Sequence, residues 1–396
     1  MVEDQLPEAR HQSNIVAILA LAMIVSSTMQ FSLGVLAPNI TNDLQISPAV
    51  FGLLPTVLFA VAIVTSVFSS RILNGLGIER SVLAVFVVTA ACFGLIMYTR
   101  SHVALFFVVG AMGVALAIGN PATNQAIVAY VAPRHHGRAV GVKQAGVQVA
   151  ALLTGATLPP LADMWGWRAA AQAVTILSIA GLVYTLLFFR GAGLVARDVH
   201  KGSSPQPTAH TGALTLGVYG LLMGIGMGAT NGFLPLYAHS VLSFDERTAG
   251  LLISCVGLLG IVSRYLWGWL GGRLGDPAGA LATLAIAAAL SEVPIIVSAF
   301  GMSWLVWIGA VGLGLTAVAW NSVAMVAVLR HTSREGTARL TGRVMLGFFL
   351  GLLTGPAAMG FITTTASYPV GWLTVLACFA AARLVIHRPT TPHPNR

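Results

Sequence analysis

The sequence predicts an all-α membrane protein whose twelve transmembrane helices form two pseudo-symmetric six-helix bundles. Three observations predict this class: 56% of the 396 residues are hydrophobic, only 8% are charged, and the mean hydropathy is +0.84. A soluble domain carries roughly 25% charged residues, so the composition excludes that class. The apolar runs are continuous rather than alternating, which excludes a transmembrane β-barrel.

Twelve apolar runs are each long enough for a helix to cross a bilayer, which takes about 20 residues. The first run has no small-residue cleavage pattern after it, so we expect it to remain as a helix rather than act as a signal peptide. Spans 1 to 12 are predicted at 15–37, 48–70, 81–99, 103–130, 138–162, 167–190, 213–239, 247–272, 278–300, 304–329, 338–364 and 367–387.

The longest polar segment, 191–212, divides these spans six and six. Its Ser and Pro content is typical of a linker. The predicted domains are therefore an N-terminal bundle at 1–190, a linker at 191–212 and a C-terminal bundle at 213–396.

The basic residues predict the orientation in the membrane. Of the 21 Lys and Arg residues, all but Arg100, Arg168 and Arg247 fall on the side of the two termini. Cytoplasmic loops carry such an excess, so we expect both termini in the cytoplasm of a bacterial-type inner membrane. The same pattern explains the pI of about 10.1 without nucleic-acid binding.

The two halves also resemble each other in sequence. Gly-Leu-Leu at 52–54 recurs at 250–252, and Leu-Leu-Thr-Gly at 152–155 recurs at 352–355. Matches in one order and at a nearly constant offset indicate a duplicated six-helix unit. Transporters built from such repeats bind substrate near the middle of the membrane, between the halves.

Four short motifs carry a family resemblance. The loop after span 2, at 70–80, is similar in outline to G-x-L-x-D-R-x-G-x-R, and 268–276 is its counterpart after span 8. The segment 138–146 is similar to R-x-x-G-x-K-Q-x-G, and 260–264 resembles the arginine motif of oxalate and monocarboxylate carriers. The whole chain thus resembles the major facilitator superfamily. That resemblance implies gating roles for Arg71, Asn74, Gly77, Arg80, Arg273 and Gly275, although Asn74 and Gly272 replace the family's acids.

Arg264 is the sharpest candidate for a binding residue, since ionisable groups inside spans are costly. It lies eight residues before Gly272 and seventeen after Arg247, or roughly 12 Å and 25 Å from the two ends of span 8. Its guanidinium could bind a substrate carboxylate through two hydrogen bonds. The alternative is a structural arginine bound to main-chain carbonyls or to a partner helix.

Lys143 lies five residues into span 5, so it either faces substrate or extends back to the interface. Gln144 adds hydrogen-bonding capacity beside it. The family resemblance implies that spans 1, 4, 7 and 10 line the cavity, which makes further polar or aromatic residues substrate contacts. These are Gln30, Asn120, Asn231, Trp320 and Asn321; the alternative for the amides is that they link neighbouring helices.

Spans 1, 4, 7 and 10 contain no Asp or Glu, whereas the family resemblance implies that a cation-exporting drug antiporter would often keep an acid there. The one acid deep inside a span is Glu292 in span 9, which differs from Arg264 in depth by roughly 9 Å. We expect a structural acid there, with a proton-carrier role as the lesser alternative. No cofactor, metal site or catalytic cluster is predicted.

The sequence therefore predicts a secondary transporter that works by alternating access, as a monomer in the lipid bilayer. A small organic anion, a carboxylate above all, is the predicted substrate. A proton is a candidate co-substrate, because an anion that enters with H⁺ moves no net charge. The alternative is an exporter of uncharged or amphipathic compounds. A membrane enzyme or a receptor is disfavoured, because the sequence shows neither a catalytic cluster nor a large soluble domain.

Overall fold

A computed structural model describes residues 5–192, 211–273, 276–331 and 334–386, with side chains within 12–189, 214–267, 270, 276–325 and 342–386. It contains fourteen α-helices and the 3-10 turn Pro133–His135. The helices are α1 Gln5–Val35, α2 Ala37–Leu44, α3 Pro48–Leu76, α4 Ile78–Ile96, α5 His102–Tyr130, α6 His136–Trp165, α7 Trp167–Ala192, α8 Thr211–Ser240, α9 Glu246–Arg273, α10 Pro277–Ser298, α11 Leu305–Leu315, α12 Trp320–His331, α13 Arg334–Thr365 and α14 Tyr368–Val385.

The all-α membrane fold is confirmed. Within the described residues, 11 segments are long and apolar enough to cross a membrane. The helix α8 is not one of them, but its 30 residues are long enough and it packs in the C-terminal half against α13 and α14. With α11 and α12 forming one interrupted crossing, the described helices make twelve crossings. The predicted linker lies largely outside the described residues.

Two local features depart from the predicted spans. A short helix, α2, follows α1 and turns the chain before α3. The predicted span 10 is interrupted, because α11 ends at Leu315 and α12 begins only at Trp320. The intervening Thr316 leaves helical geometry, with φ −124° and ψ −68°. A helix therefore starts inside this crossing rather than at its end.

The two halves pack their helices in the same pattern. In the N-terminal half α1 packs against α6, α3 against α5 and α4 against α7. In the C-terminal half the corresponding pairs are α8 with α13, α9 with α11, and α10 with α14. This agreement is what a duplicated six-helix unit would give.

Below, the face of the bundle that carries the two chain ends is the termini side, and the opposite face is the far side. The halves meet along two helix pairs, α3 with α13 and α6 with α9. In the first pair, a side chain at Gly360 would overlap the carbonyl of Pro48 near the far side, so only glycine permits this approach. Further in, Thr56 Oγ1 donates to the carbonyl of Leu353 (2.8 Å), and the last contact joins the rings of Phe59 and Phe349.

The second pair, α6 with α9, also makes its contacts from the far side inward. Arg247 on α9 forms an ion pair with Asp163 on α6 at the far side, at 2.6 Å. Next, Ser254 Oγ donates to the carbonyl of Leu152 (2.8 Å). The described contacts end where Arg264 reaches the carbonyl of Gln144. The halves are therefore joined at the far side and separate toward the termini side.

Candidate functional site

A cavity of about 710 Å³ occupies the space where α6 and α9 separate. We call it the central cavity. Its walls come from the first turns of α6, the second half of α9 and the start of α12. They are formed by Gly137, Val140, Gly141, Val142, Gln144, Ala145, Ile261, Arg264, Tyr265, Asn321, Ser322 and Met325. Among the lining residues that the structure describes, Arg264 is the one cation and none is a carboxylate.

Arg264 lies in the wall that α9 contributes. Its Nε donates to the carbonyl of Val318 at 3.4 Å, and its Nη1 donates to the carbonyl of Gln144 in the other half at 3.3 Å. Both bonds are long for N–H···O bonds, which cluster near 2.9 to 3.0 Å. Neither ion pair among the described residues includes Arg264. A guanidinium has five N–H donors, so this one retains capacity for a further acceptor.

Gln144 and Asn120 connect the central cavity to Lys143. Gln144 Nε2 donates to Asn120 Oδ1 at 3.4 Å, and Lys143 Nζ donates to the same oxygen at 2.7 Å. Asn120 is not among the residues that line the cavity. The predicted partners Gln144, Asn120 and Lys143 are thus brought together, but only Gln144 reaches the cavity directly.

Lys143 itself is fully buried, with an exposed fraction of 0%. Its side chain neither returns to the interface nor enters the central cavity. The reason is rotation: successive residues of an α-helix point about 100° apart, since a turn takes 3.6 residues. Val142 and Gln144 face the central cavity, and the residue between them faces α5.

The interruption before α12 places polar groups at the cavity. Asn321 and Ser322, in the first turn of α12, both line it. Asn321 Oδ1 is buried and has no hydrogen-bond partner within the described residues. Trp320 precedes them but does not line the cavity. It is 1% exposed, and its ring packs against those of Tyr219 and Phe348 in the C-terminal core.

Two other predicted contacts lie away from the central cavity. Asn231 is 9% exposed, and a side chain on Gly34 of α1 would overlap its carbonyl, so it belongs to the contact between α1 and α8. Gln30 on α1 is partly buried and is not a lining residue. In this conformation neither residue is brought together with Arg264.

The predicted loop motif lies on the termini side. Arg71, Asn74 and Arg80 are exposed, and Gly77 connects α3 to α4 with a φ of +78°, a conformation that favours glycine. The side chain of Arg273, together with Gly272 and Gly275, lies outside the described residues or side chains. Neither ion pair in the described part of the chain involves this loop.

Glu292 on α10 is fully buried and does not line the central cavity. Both carboxylate oxygens lack hydrogen-bond partners within the described residues. It forms no ion pair with Arg264.

Sequence reasoning missed a set of far-side contacts. Besides the Arg247–Asp163 pair, Asn39 Nδ2 donates to Glu246 Oε2 across the halves at 2.6 Å. Arg168 also binds Asp43 at 2.7 Å, and this hydrogen bond lowers the pKa of Asp43. A usable signal was present, since Arg168 and Arg247 are two of the three basic residues on the far side.

The chain was compared with known proteins. The family model of the Major Facilitator Superfamily matches residues 19–328 and 216–396. No curated protein matches the sequence. A crystal structure of a mutant of the nucleoside transporter NupG aligns with a TM-score of 0.73 at 13% identity, covering 94% of this chain and 98% of that chain.

Two crystal structures of a bacterial homologue of the human lysosomal transporter Spinster also align. Both are inward-facing, one occupied and one unoccupied, and each gives a TM-score of 0.67 at 16% identity, covering 95% of this chain and 93% of that chain. At these identities the likeness shows the fold alone. Together with the family match over most of the chain, it shows that the protein is a transporter of the Major Facilitator Superfamily and not an enzyme.

Proposed function

We propose that this transporter moves a small organic anion, a carboxylate above all, by alternating access, and that the anion binds Arg264 in the central cavity. The main support for the proposal is that the Arg264 guanidinium lines the cavity and donates only two long hydrogen bonds within the described residues. Their acceptors are main-chain carbonyls at 3.4 and 3.3 Å. A positive charge inside a membrane protein is costly unless an opposite charge is near. A bound carboxylate would supply that charge, through two charge-assisted hydrogen bonds.

The start of α12 supports the same substrate class. The N-terminus of a helix carries a partial positive charge and unpaired N–H groups, and interrupted helices of transporters use it to bind anions. Asn321 and Ser322 place this N-terminus at the wall of the central cavity. Arg264 is tied to the same interruption through the carbonyl of Val318. Two sources of positive potential thus meet in one space.

The contacts between the halves support a direction of access. They are closed at the far side, so an anion reaches Arg264 from the termini side in this conformation. With the termini in the cytoplasm of an inner membrane, as the basic loops indicate, this is the inward-open state. Proton co-transport is part of the proposal, because it would make anion movement electrically neutral. We propose that the unit is a monomer.

A second candidate is an exporter of uncharged or amphipathic compounds. The apolar part of the cavity wall favours it, especially Ile261, Tyr265 and Met325. In that case Arg264 only links α9 to α6 and to the interruption before α12. The two functions differ in whether a ligand must carry a negative charge.

Thermal unfolding of the purified protein separates the two candidates. The ligands are acetate, benzoate, benzenesulfonate and succinate, with benzamide and benzyltrimethylammonium as the neutral and cationic counterparts. A ligand at a hundredfold excess over its Kd stabilises the folded state by about 2.7 kcal/mol. At about 2 °C per kcal/mol the midpoint then rises by roughly 5 °C.

We expect an anion to give this rise and the neutral and cationic counterparts to give none. The rise should disappear in Arg264→Ala and shrink in Arg264→Lys, while the exposed Arg343→Ala serves as the matched control. Equal stabilisation by benzamide, or by anions in both Arg264 variants, would favour the exporter instead.

A further inference from the structure

Lys143 has the surroundings of a protonated amine. Its Nζ lies within hydrogen-bond distance of three acceptors: Asn120 Oδ1 at 2.7 Å, Thr123 Oγ1 at 2.9 Å and the Asn120 carbonyl at 3.3 Å. Thr123 Oγ1 gives its own proton to the carbonyl of Gly119, at 2.7 Å, so it accepts from the lysine. Three acceptors match the three N–H donors of an ammonium group.

No carboxylate neutralises this ammonium within the described residues. The carboxylates of α6 itself and of α9, which packs against it, are Asp163 and Glu246; both lie at the far side, where they bind Arg247 and Asn39. The described side chains of α1 are not ionisable, and α5 presents Asn120 and Thr123.

The remaining titratable groups around α6 are positive or distant. Arg264 of α9 binds the Gln144 carbonyl, Arg138 is exposed five residues before Lys143, and Tyr130 of α5 binds Glu79. On α7, Arg168 binds Asp43 at the far side and Tyr184 is exposed. A buried charge without a counter-ion is unfavourable, and either a nearby anion or loss of the proton removes the cost.

A second cavity lies between α1 and the start of α6, beside the helix that carries Lys143. We call it the α1–α6 pocket; its volume is about 430 Å³, and Gln12, His135, Arg138, Ala139 and Val142 are among its lining residues. Ala139 lies one helical turn before Lys143 and Val142 precedes it directly. Val142 also lines the central cavity, so the two cavities share a wall residue on α6.

An imidazole lines the same pocket. His135 Nδ1 is hydrogen-bonded to Gln12 Oε1 at 3.1 Å, and the ring is exposed. The pocket thus extends from an exposed polar side chain to the segment of α6 that carries Lys143.

We propose that Lys143 carries the proton that is co-transported with the anion, and that it exchanges this proton with the termini side through the α1–α6 pocket. This inference rests on the proposed function. With an anion at Arg264, the amine lone pair of Lys143 forms an N–H bond with a proton taken from water, and anion and ammonium cross together without net charge. On release, that N–H bond gives its proton to water in the pocket, and the empty carrier returns with a neutral lysine.

Reconstituted liposomes test the assignment. The probe is the radiolabelled anion that stabilises the protein most in the panel above, and protein-free liposomes correct for diffusion of the neutral acid. Two quantities are measured. The first is the rate of anion exchange at equal pH, and the second is the accumulation of the anion that a pH difference of one unit across the membrane drives. For one proton per anion, the unit gradient supports about tenfold accumulation.

The informative quantity is driven accumulation relative to exchange. In Lys143→Met, which cannot bind a proton, and in Lys143→Arg, which does not release one, we expect accumulation to fall from about tenfold to equality with the bath. Glu292→Gln is the matched control, because it removes another buried ionisable group, one without a hydrogen-bond partner within the described residues; it should keep the parental accumulation. Lys143→Arg preserves the positive charge, which keeps the test available if Lys143→Met does not fold.

Tenfold accumulation in both Lys143 variants would overturn the proposal, as would its loss in Glu292→Gln alone. Loss of exchange together with accumulation in folded Lys143 variants would also overturn it, because Lys143 would then serve substrate binding or structure. The proposed function fails differently: the parent protein would then show neither anion stabilisation nor anion exchange.

Discussion

Arg264 and Lys143 are both cations inside membrane-spanning helices, yet their surroundings are opposite. Arg264 lines the central cavity, and its acceptors are two main-chain carbonyls at 3.3 and 3.4 Å. Lys143 is fully buried and does not line the cavity, and its Nζ donates to Asn120 Oδ1 at 2.7 Å. We propose that the two cations serve different purposes. One cation is open to a solute, and the other is enclosed by the protein.

Removal of each cation should affect anion binding very differently, and this is the largest effect expected. Truncating one partner of a buried charge pair costs about 2 to 5 kcal/mol, so Arg264→Ala should weaken anion binding by roughly 100-fold. Lys143→Met should change it by much less, because Lys143 does not touch the cavity. Calorimetric Kd values for the best anion of the panel measure both. Equal losses in the two variants would contradict the distinction.

The second prediction concerns stability in the presence of the best anion of the panel, with which Lys143 is protonated in the proposed cycle. Thr123→Val removes one acceptor of the Lys143 ammonium at nearly constant volume, and leaving a buried donor unpaired costs about 1 to 3 kcal/mol. We therefore expect the thermal midpoint to fall by several degrees. Ser322→Ala is the matched change in the central cavity, where water can replace the hydroxyl, and it should leave the midpoint unchanged. A reversed order of the two midpoints would show that Lys143 is not enclosed.

The sequence predicted how far these cations lie from the ends of their spans, but not in which direction around the helix axis their side chains point. Distance from the span ends places Arg264 far from both interfaces, since a helix rises 1.5 Å per residue. Whether a neighbouring residue faces the cavity depends on packing between helices, so Lys143 was predicted to face substrate or return to the interface and does neither. Gln144, one position later, does line the cavity.

The twelve-crossing fold and the repeated unit were predictable, because bilayer thickness fixes the length of each crossing. The interruption between α11 and α12 was not, since the segment 316–319 is as apolar as its surroundings and contains no proline. The far-side contacts were missed for another reason. Asp163 and Arg247 are 84 positions apart, and only the packing of α6 against α9 brings them together.

A third prediction tests what keeps the central cavity open on one side only. The Arg247–Asp163 pair is largely exposed, and such pairs contribute about 0.2 to 1 kcal/mol. Arg247→Ala should therefore raise the far-side-open population by roughly 1.4- to fivefold. Spin labels on cysteines at Met164 and Val241, in a background without the native cysteines, report the distance at the far side. An unchanged distance distribution would mean that the pair does not contribute to closure.

The smallest effect concerns Asp43, which binds Arg168 within the N-terminal half. Because the hydrogen bond from Arg168 lowers the pKa of Asp43 in the folded state, its stabilising effect is complete above the unfolded-state pKa of about 4 and is lost as the pH falls below it. Asp43→Asn should thus lower the thermal midpoint slightly at pH 7 and by less at pH 3. A difference that is equal at the two pH values would contradict this account.

The most direct test of the anion site is a crystal structure with 4-bromobenzoate, whose bromine can be located by anomalous scattering. The account predicts the carboxylate on the Arg264 guanidinium and the bromine on the apolar wall near Ile261 and Met325. A bromine peak elsewhere, with Arg264 still bound only to the carbonyls of Gln144 and Val318, would contradict it.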